Sequence, residues 1–461
     1  MSRRRWNGFK IWTAALSLFV AVWLFPAIAG KHGAIRSAVL TALAVGAIWL
    51  MYLVVGRFIN ASVARALKRR DAESGGQDDH GKKSSIRVST GPILVLIGAS
   101  MLIGGADAGP PARTPGTAAI RQAAVPSDWP VVTPDEAGFD GQKLTVLAAE
   151  IRRQELLPHL HELLIVRHGR LVLEATFNSW KADRLHTLQS VTKSFASALV
   201  GIAIAHGEFK GVDEKVLDFF PDLTGIANMD ERKKSMRLED ILTMRTGTDY
   251  DENGPGSPHF QLNVLTKGWD KFYLDRPMVR APGTGFQYDS GGVILLSAML
   301  KRRTGRHAGE YARDCLFKPL GIEKWFWIHN AEGHSHAGGG LNLTARDAAK
   351  LGQLYLQKGR WGDVQVVPED WVRESFKMRV DFAQPGQPPS GYGYLWWLWA
   401  PDPRGKSGEG IYAARGHGGQ YIIVVPEYDM VVVFLGDAKD RAEMAKPIEV
   451  FYDRVLTALI R

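Results

Sequence analysis

Hydrophobic and polar positions divide the chain into two regimes. Residues 11–28 and 37–56 are uncharged apolar runs of 18 and 20 residues without a polar face. Each is long enough to cross a hydrocarbon core of about 30 Å as a helix. Residues 88–106 form a third uncharged stretch, richer in glycine. It reads as a further span, with an interfacial segment or a signal-like stretch as the alternatives, because Ala106-Asp107-Ala108 resembles a small-x-small cleavage site. Residues 109–126, with Pro110, Pro111 and Pro115, read as a linker. Beyond them the pattern becomes that of a folded body, residues 127–461, with no internal repeat.

In that body, residues 163–167 and 170–174 are β runs around His168-Gly169, a hairpin. Residues 190–206 are small and apolar throughout and predict a helix buried on most sides. Further helices are expected over 238–245, 292–303, 346–358 (entered through Thr344 as N-cap) and 446–460. Strands are expected over 391–399, 421–425 and 430–435. Strands thus come first and last, with helices between. This order predicts an α+β fold with one antiparallel sheet built from both ends of the body, flanked by helices, plus a helical subdomain. Two or three transmembrane helices precede it.

Charge supports this division. Residues 1–90 hold 14 Lys and Arg against 4 Asp and Glu, a balance of +10, whereas the remaining chain is balanced at −1. The net +9 therefore does not call for nucleic acid. The basic residues cluster at Arg3–Arg5 and between 57 and 87, which places the N-terminus and that loop in the cytoplasm. A third crossing would put the body on the periplasmic or extracytoplasmic side of the inner membrane. The lone Cys315 excludes an intrachain disulfide and a cysteine-based zinc site.

Candidate chemistry begins at Ser190-Val191-Thr192-Lys193, which opens the buried helix. Residues three apart lie on one helix face, so a lysine amine there can take the proton of the serine hydroxyl. The amide of Ser190, at a first turn, is available to an oxyanion. An N-cap serine followed by a snorkelling lysine is the plainer reading of the tetrapeptide. Two other segments change the balance. Pro282-Gly283-Thr284-Gly285 leads into Tyr288-Asp289-Ser290 just before a helix. Arg415-Gly416-His417-Gly418-Gly419-Gln420 leads into a strand, where glycines let a substrate approach the backbone closely.

Together, in this order, these motifs resemble the penicillin-recognising serine hydrolases: class C β-lactamases, DD-peptidases, and the related esterases and nylon-oligomer hydrolases. The resemblance spans roughly residues 130–455 and includes Leu242-Thr-Met-Arg-Thr-Gly247, Pro319-Leu-Gly-Ile322 and Gly391-Tyr-Gly-Tyr394. Ala337-Gly-Gly-Gly-Leu341 looks most like the nylon-oligomer hydrolase and carboxylesterase branch. The resemblance implies a β-lactamase/transpeptidase-like fold and an acyl-enzyme on Ser190. Lys193 and Tyr288 would share the general-base role. The Gln420 amide would be the second oxyanion donor, with His417, Gly418, Gly419, Ser290 and Trp397 lining the substrate site.

Two departures bear on substrate. The family's Tyr-x-Asn is here Tyr288-Asp289-Ser290, and the cation of Lys-Thr-Gly is replaced by His417. Losing a fixed cation argues for a small-molecule ester, amide or peptide-like substrate over penicillins. A β-lactamase, a DD-peptidase or a non-catalytic sensor are the alternatives. Alternation along a strand puts Trp397 and Trp399 on one side and Trp396 on the other. His329, His334 and His336 share a glycine-rich loop and read as histidines without a role, since acyl transfer needs no metal or other cofactor. The expected partners are thus the substrate and, through the N-terminal segment, a lipid bilayer; nucleic acid is not among them.

Overall fold

The structure, a computed structural model, describes residues 129–254, 256–383 and 390–460. The expected anchor over 1–108, its spans at 11–28, 37–56 and 88–106, and the linker 109–126 lie outside the described residues. Among the described residues no helix is long and apolar enough to cross a membrane.

The body begins with helix α1 (Gly141–Arg152), started by Asp140, whose carboxylate accepts the Lys143 amide at 3.1 Å. The expected hairpin follows as β1 (Leu160–Arg167) and β2 (Arg170–Thr176). Its two-residue turn, His168 and Gly169, adopts positive φ at both positions, which matches the twist of the strands. A short strand β3 (His186–Thr187) feeds the buried helix α2 (Thr192–Ala205). The helical part then runs through α3 (Pro258–Val264) and α4 (Ser290–Thr304). Strands β4 (Phe326–Trp327) and β5 (Leu341–Leu343) join β3 in a small sheet of order β3-β5-β4. Helix α5 (Ala345–Leu356) starts at Thr344, whose hydroxyl accepts the Asp347 amide as expected.

Besides a small two-stranded ribbon (Arg360–Trp361 with Val364–Gln365), the strands that follow are β6 (Val380–Asp381), β7 (Ser390–Tyr392), β8 (Trp397–Trp399), β9 (Ile411–Gly416), β10 (Gln420–Val425) and β11 (Met430–Gly436). They complete an antiparallel eight-stranded sheet of order β2-β1-β11-β10-β9-β8-β7-β6. Both ends of the body therefore meet at the β1–β11 pairing, as strands first and last in sequence require. Helix α6 (Arg441–Val450) closes the fold.

Period-two alternation sorts the sheet residues into two cores. Leu164, Val166, Ile422, Val424, Val431 and Val433 face α2, α4 and α5. Leu163, Ile165, Tyr421, Ile423, Val432 and Phe434 face α1 and the C-terminal helical turns. The sheet is thus a middle layer buried on both sides, which explains its nearly continuous apolar strands.

Three expectations are corrected. Residues 391–399 are two paired strands, not one, with Trp397 opposite Tyr392 across a turn in which Leu395 takes φ 62°. The apolar side chains run unbroken through that turn, so hydropathy does not mark it. Strand β9 was not foreseen, because Ala413, Ala414 and Gly416 carry little β signal. Helix α6 starts earlier than 446, at the Asp440 cap, and gives way to wider and tighter turns after Val450 instead of continuing to 460.

One buried group carries a pH signature. Glu162 on β1 is enclosed, and among the described residues neither carboxylate oxygen has a hydrogen-bond partner. Burial and then the charge of Glu174 push its carboxyl up to about 8, against the pull of Arg346. The folded state therefore holds the proton that the unfolded chain releases near pH 4.5. Stability is full below that pH and declines as pH rises through 8. Glu162→Gln should remove this decline, so that denaturation curves show a gain over wild type that grows from pH 5 to pH 8, reaching about 1–3 kcal/mol.

Candidate active site

The site is assembled where β3, the start of α2 and the end of β9 converge. After β3 the chain passes through Gln189 in a left-handed conformation (φ 48°) and a tight turn that carries Ser190, and α2 begins two residues later. A non-glycine residue in that region is uncommon and costs of order 1–3 kcal/mol, so the surrounding contacts must hold it. They do so at successive residues. Thr192 Oγ1 accepts the Leu341 amide at 3.1 Å, and the Ser194 hydroxyl donates to Leu395 O at 2.7 Å. Gly416 at the end of β9 presses against the same turn. A Cβ there would lie 2.5 Å from Leu188 O and 3.1 Å from Gln189 Cβ, so only glycine lets the strand close on it.

Lys193 is 1% exposed, and the tertiary structure settles where its ammonium goes. Nζ donates to Ser190 Oγ at 2.8 Å and to Gly338 O at 2.5 Å. Its third neighbour is the face of the Tyr288 ring, with the centroid 4.8 Å away. The same ring stacks on Trp397 at 6.1 Å between centroids. Among the described residues the Tyr288 hydroxyl has no hydrogen-bond partner, and Tyr288 lines the cleft with Ser190. The three expected catalytic side chains are therefore brought together, with Tyr288 approaching Lys193 through its ring face.

Tyr288 is held through its neighbours. Asp289 caps α4, accepting the Gly292 amide at 2.9 Å, while its other oxygen accepts from Tyr273 at 2.5 Å and from Thr246 at 2.8 Å. Complete burial raises this carboxyl to about 6, with the Tyr273 hydrogen bond and the Gly292 amide opposing it. The Ser290 amide donates to the Glu252 carboxylate. Asp289 is thus a structural anchor, whereas its neighbours Tyr288 and Ser290 both reach the cleft.

The cleft encloses about 920 Å³. Its opposite wall holds residues that the motif reading missed. Asn263 on α3 accepts from His336 Nε2 at 2.9 Å and donates to His259 Nε2 at 3.1 Å; His259 Nδ1 lies 3.0 Å from the Tyr250 hydroxyl. Burial, then the charge of Lys193 and then that of His259 hold His336 down at about 4, so it stays neutral. The view of His336 as a histidine without a role is corrected: it forms part of the cleft wall. His329 bonds Asn330 O instead, and among the described residues no cluster of three metal-binding side chains forms. The signal for Glu252, His259 and Asn263 was absent from the sequence because it lies in their convergence, not in their spacing.

Residues near the end of β9 are also corrected. Arg415, Gly416 and His417 line the cleft, but Gly418, Gly419 and Gln420 do not. Gly418 and Gly419 take φ 83° and 85°, which turns the chain away immediately after His417. The Gln420 side chain is buried behind that turn, donating to His417 O at 2.9 Å and Gly436 O at 2.6 Å and accepting the Gly436 amide at 3.0 Å. Its role is to brace the turn. Of the tryptophans, Trp396 is wholly buried, Trp397 lines the cleft and packs against the first core, and Trp399 packs against the second, which corrects the expectation that Trp397 and Trp399 share a side.

Comparison with known proteins agrees with this geometry. The profile of the Beta-lactamase family matches residues 159–450, and the chain belongs to that family. It is 27% identical over 296 residues to the 6-aminohexanoate-dimer hydrolase of Paenarthrobacter ureafaciens, covering 60% of this chain and 72% of that protein. Among solved structures it resembles EstCE1, a hydrolase with promiscuous acyltransferase activity, at TM-score 0.56 and 17% identity, covering 67% of this chain and 97% of that one. It also resembles a penicillin-binding protein homologue from Caulobacter crescentus at TM-score 0.51 and 16% identity, covering 70% of this chain and 99% of that one. The expected β-lactamase/transpeptidase-like fold is therefore the fold of the body, and its relatives are hydrolases.

Gly338 offers a test of the Lys193 environment. A Cβ on it would lie 2.9 Å from Ser290 O and 3.0 Å from Ser290 Cβ, so a side chain would displace the carbonyl that accepts from Lys193. Gly338→Ala should slow labelling of Ser190 by a fluorophosphonate probe roughly tenfold or more, because misplacing a reacting group by about 1 Å can cost that much. An unchanged rate, by gel fluorescence against time, would show that the Gly338 contact is dispensable.

Proposed function

We propose that the chain is a serine hydrolase that cleaves an ester or amide bond through an acyl-enzyme on Ser190. The observation that carries this reading is the 2.8 Å contact between Lys193 Nζ and Ser190 Oγ at the floor of an open cleft. Lys193 in its amine form takes the hydroxyl proton as Ser190 Oγ attacks the substrate carbonyl. The negative charge that develops on the carbonyl oxygen is met by backbone amides, that of Ser190 and, on the β9 side, that of His417. The cleft wall includes His417 and excludes Gln420, which is why the second donor is moved there. Each such donor is worth about 3 kcal/mol of barrier.

Collapse of the tetrahedral intermediate expels the alcohol or amine, which takes a proton from Lys193 directly or through the Tyr288 hydroxyl. Water then enters, its proton passes to the same pair, and the acyl group leaves as a carboxylic acid. Trp397 and Tyr288 give the acyl group an aromatic wall. Similarity to the 6-aminohexanoate-dimer hydrolase supports linear amides, alongside esters, as the substrate class.

Turnover of 4-nitrophenyl butyrate by the full chain tests this reading. Wild type should show burst kinetics, and Ser190→Ala and Lys193→Ala should each fall by about a thousandfold or more. Equal rates for wild type and Ser190→Ala would remove the acyl-enzyme.

We also propose that residues 1–108 anchor the protein in the inner membrane with the hydrolase body outside the cytoplasm. The two long apolar runs and the basic loop between 57 and 87 support this. Alkaline phosphatase fused after Val125 should be active, and green fluorescent protein at the same point dark. The reverse pattern would place the body in the cytoplasm.

A further inference from the structure

We infer that His161 and His186 form a proton-sensitive positioning pair outside the cleft, in which uptake of one proton at His161 Nε2 draws Asp437 inward and slows acylation of Ser190. This rests on the serine-hydrolase reading above and adds a regulatory group to the same site. The two imidazoles lie where the strand that delivers the nucleophile passes β1. His186, on β3, is 3% exposed, and its Nδ1 lies 2.8 Å from Thr187 O. A carbonyl only accepts, so that nitrogen carries the hydrogen and Nε2 of the neutral ring is bare. His161 Nδ1 lies 2.9 Å from this bare nitrogen and therefore donates to it. In a neutral His161 the other nitrogen, Nε2, is then bare as well. It faces Asp437 Oδ1 at 3.7 Å, acceptor against acceptor.

The chain of hydrogen bonds is thus one proton short. A proton on His161 Nε2 completes it, from the Asp437 carboxylate through both rings to Thr187 O. Trp180 stacks flat on His161, with 4.6 Å between centroids and 3° between planes, and an aromatic face attracts a cation. Other neighbours set when that proton arrives. Burial holds His161 below the ordinary imidazole range; Asp437 pulls it up, while Arg184, Lys439 and His159 push it down. Burial holds His186 at about 4, with the Thr187 carbonyl and Asp437 opposing and the charges of His161 and Arg184 assisting. Both rings are therefore neutral at pH 7, and mild acid charges His161 alone, because two N–H groups cannot face each other across the 2.9 Å contact.

Both ends of this chain reach the cleft. Thr187 lines it, and its hydroxyl accepts from the side chain of Gln189, the residue before Ser190, at 3.2 Å. At the other end, Asp437 follows β11. The next residue, Ala438, donates its amide to Gly418 O at 3.2 Å, in the turn after His417. Lys439 lines the cleft and pairs with Asp437 at 3.3 Å. While the pair is neutral, Lys439 is the cation that Asp437 answers. Charging His161 gives the carboxylate a second one. Closing 3.7 Å to the about 2.8 Å of a charged hydrogen bond moves it by about 1 Å. The bond from Ala438 to Gly418 passes that movement to the turn beside the His417 amide, where a displacement of this size costs about tenfold or more in rate.

Fluorophosphonate labelling of Ser190 in the full-length protein, timed between pH 4.5 and 8, reads the effect. Protonation of Lys193 slows labelling in acid in every variant, so the pair is read as a difference. Between pH 7.5 and 4.5 wild type should lose about tenfold more rate than His161→Gln, which keeps an N–H toward His186 but takes up no proton there. Asp437→Asn should be spared in the same way. Arg184→Gln, by removing an opposing charge, should move the wild-type break to higher pH, and His159→Gln should behave as wild type. A merely structural contact would not shift a pH profile in opposite directions. An acid loss in His161→Gln equal to that of wild type overturns the inference; should that variant not fold, Asp437→Asn, at the surface, carries the comparison.

NMR of carbon-13-labelled histidines tests the pair without any turnover. The signal absent from His161→Gln should titrate at higher pH than the one absent from His186→Gln, and Asp437→Asn should lower its midpoint. A midpoint that Asp437→Asn leaves in place overturns the inference. Failure of the probe to label wild type reports on the hydrolase reading alone, so the two failures are distinguishable.

Discussion

The active-site arrangement depends on where a buried ammonium can find its partners. Lys193 lies almost wholly inside the protein, and among the described residues no carboxylate lies at hydrogen-bond distance from its ammonium. It is solvated instead by the Ser190 hydroxyl, the Gly338 carbonyl and the face of the Tyr288 ring. Three segments far apart in sequence must therefore meet at one nitrogen, and much of the local fold serves that meeting.

The supporting contacts share a logic. The turn at Ser190 is held by Thr192 and Ser194 on one side and by Gly416 on the other, each fastening it to a different part of the chain. Tyr288 is fixed by what flanks it: the buried Asp289 cap, and the Ser290 amide on Glu252. Gln420 braces the turn after His417 from behind. Thr192, Ser194, Asp289 and Gln420 do not line the cleft themselves. Each limits the freedom of one that does, which is how a rigid sheet and a few helix ends keep reactive groups within reach of each other.

The two walls of the cleft differ in kind. The β9 side presents cations and backbone, whereas the α3 side presents Asn263 with two imidazoles, of which His336 is kept neutral by burial. Glu252 lines the cleft and accepts the Ser290 amide, two residues along the chain from Tyr288.

The sequence by itself determined the layered α+β architecture, because short apolar runs bounded by turns mark the strands and an unbroken small apolar run marks α2. It also singled out Ser190, Lys193 and Tyr288, which the fold brings together at the cleft, because their short-range context is written in consecutive residues. It erred where direction depends on backbone conformation. Two glycines at positive φ turn Gln420 away from the cleft, and a left-handed Leu395 splits one apolar run into two strands. The tertiary structure alone decided that Gly338 supplies the acceptor for Lys193, that Asn263 joins His336 and that Arg415 faces the cleft. These are relations between residues many positions apart, and no local pattern encodes a distance that only the packing of separate elements creates.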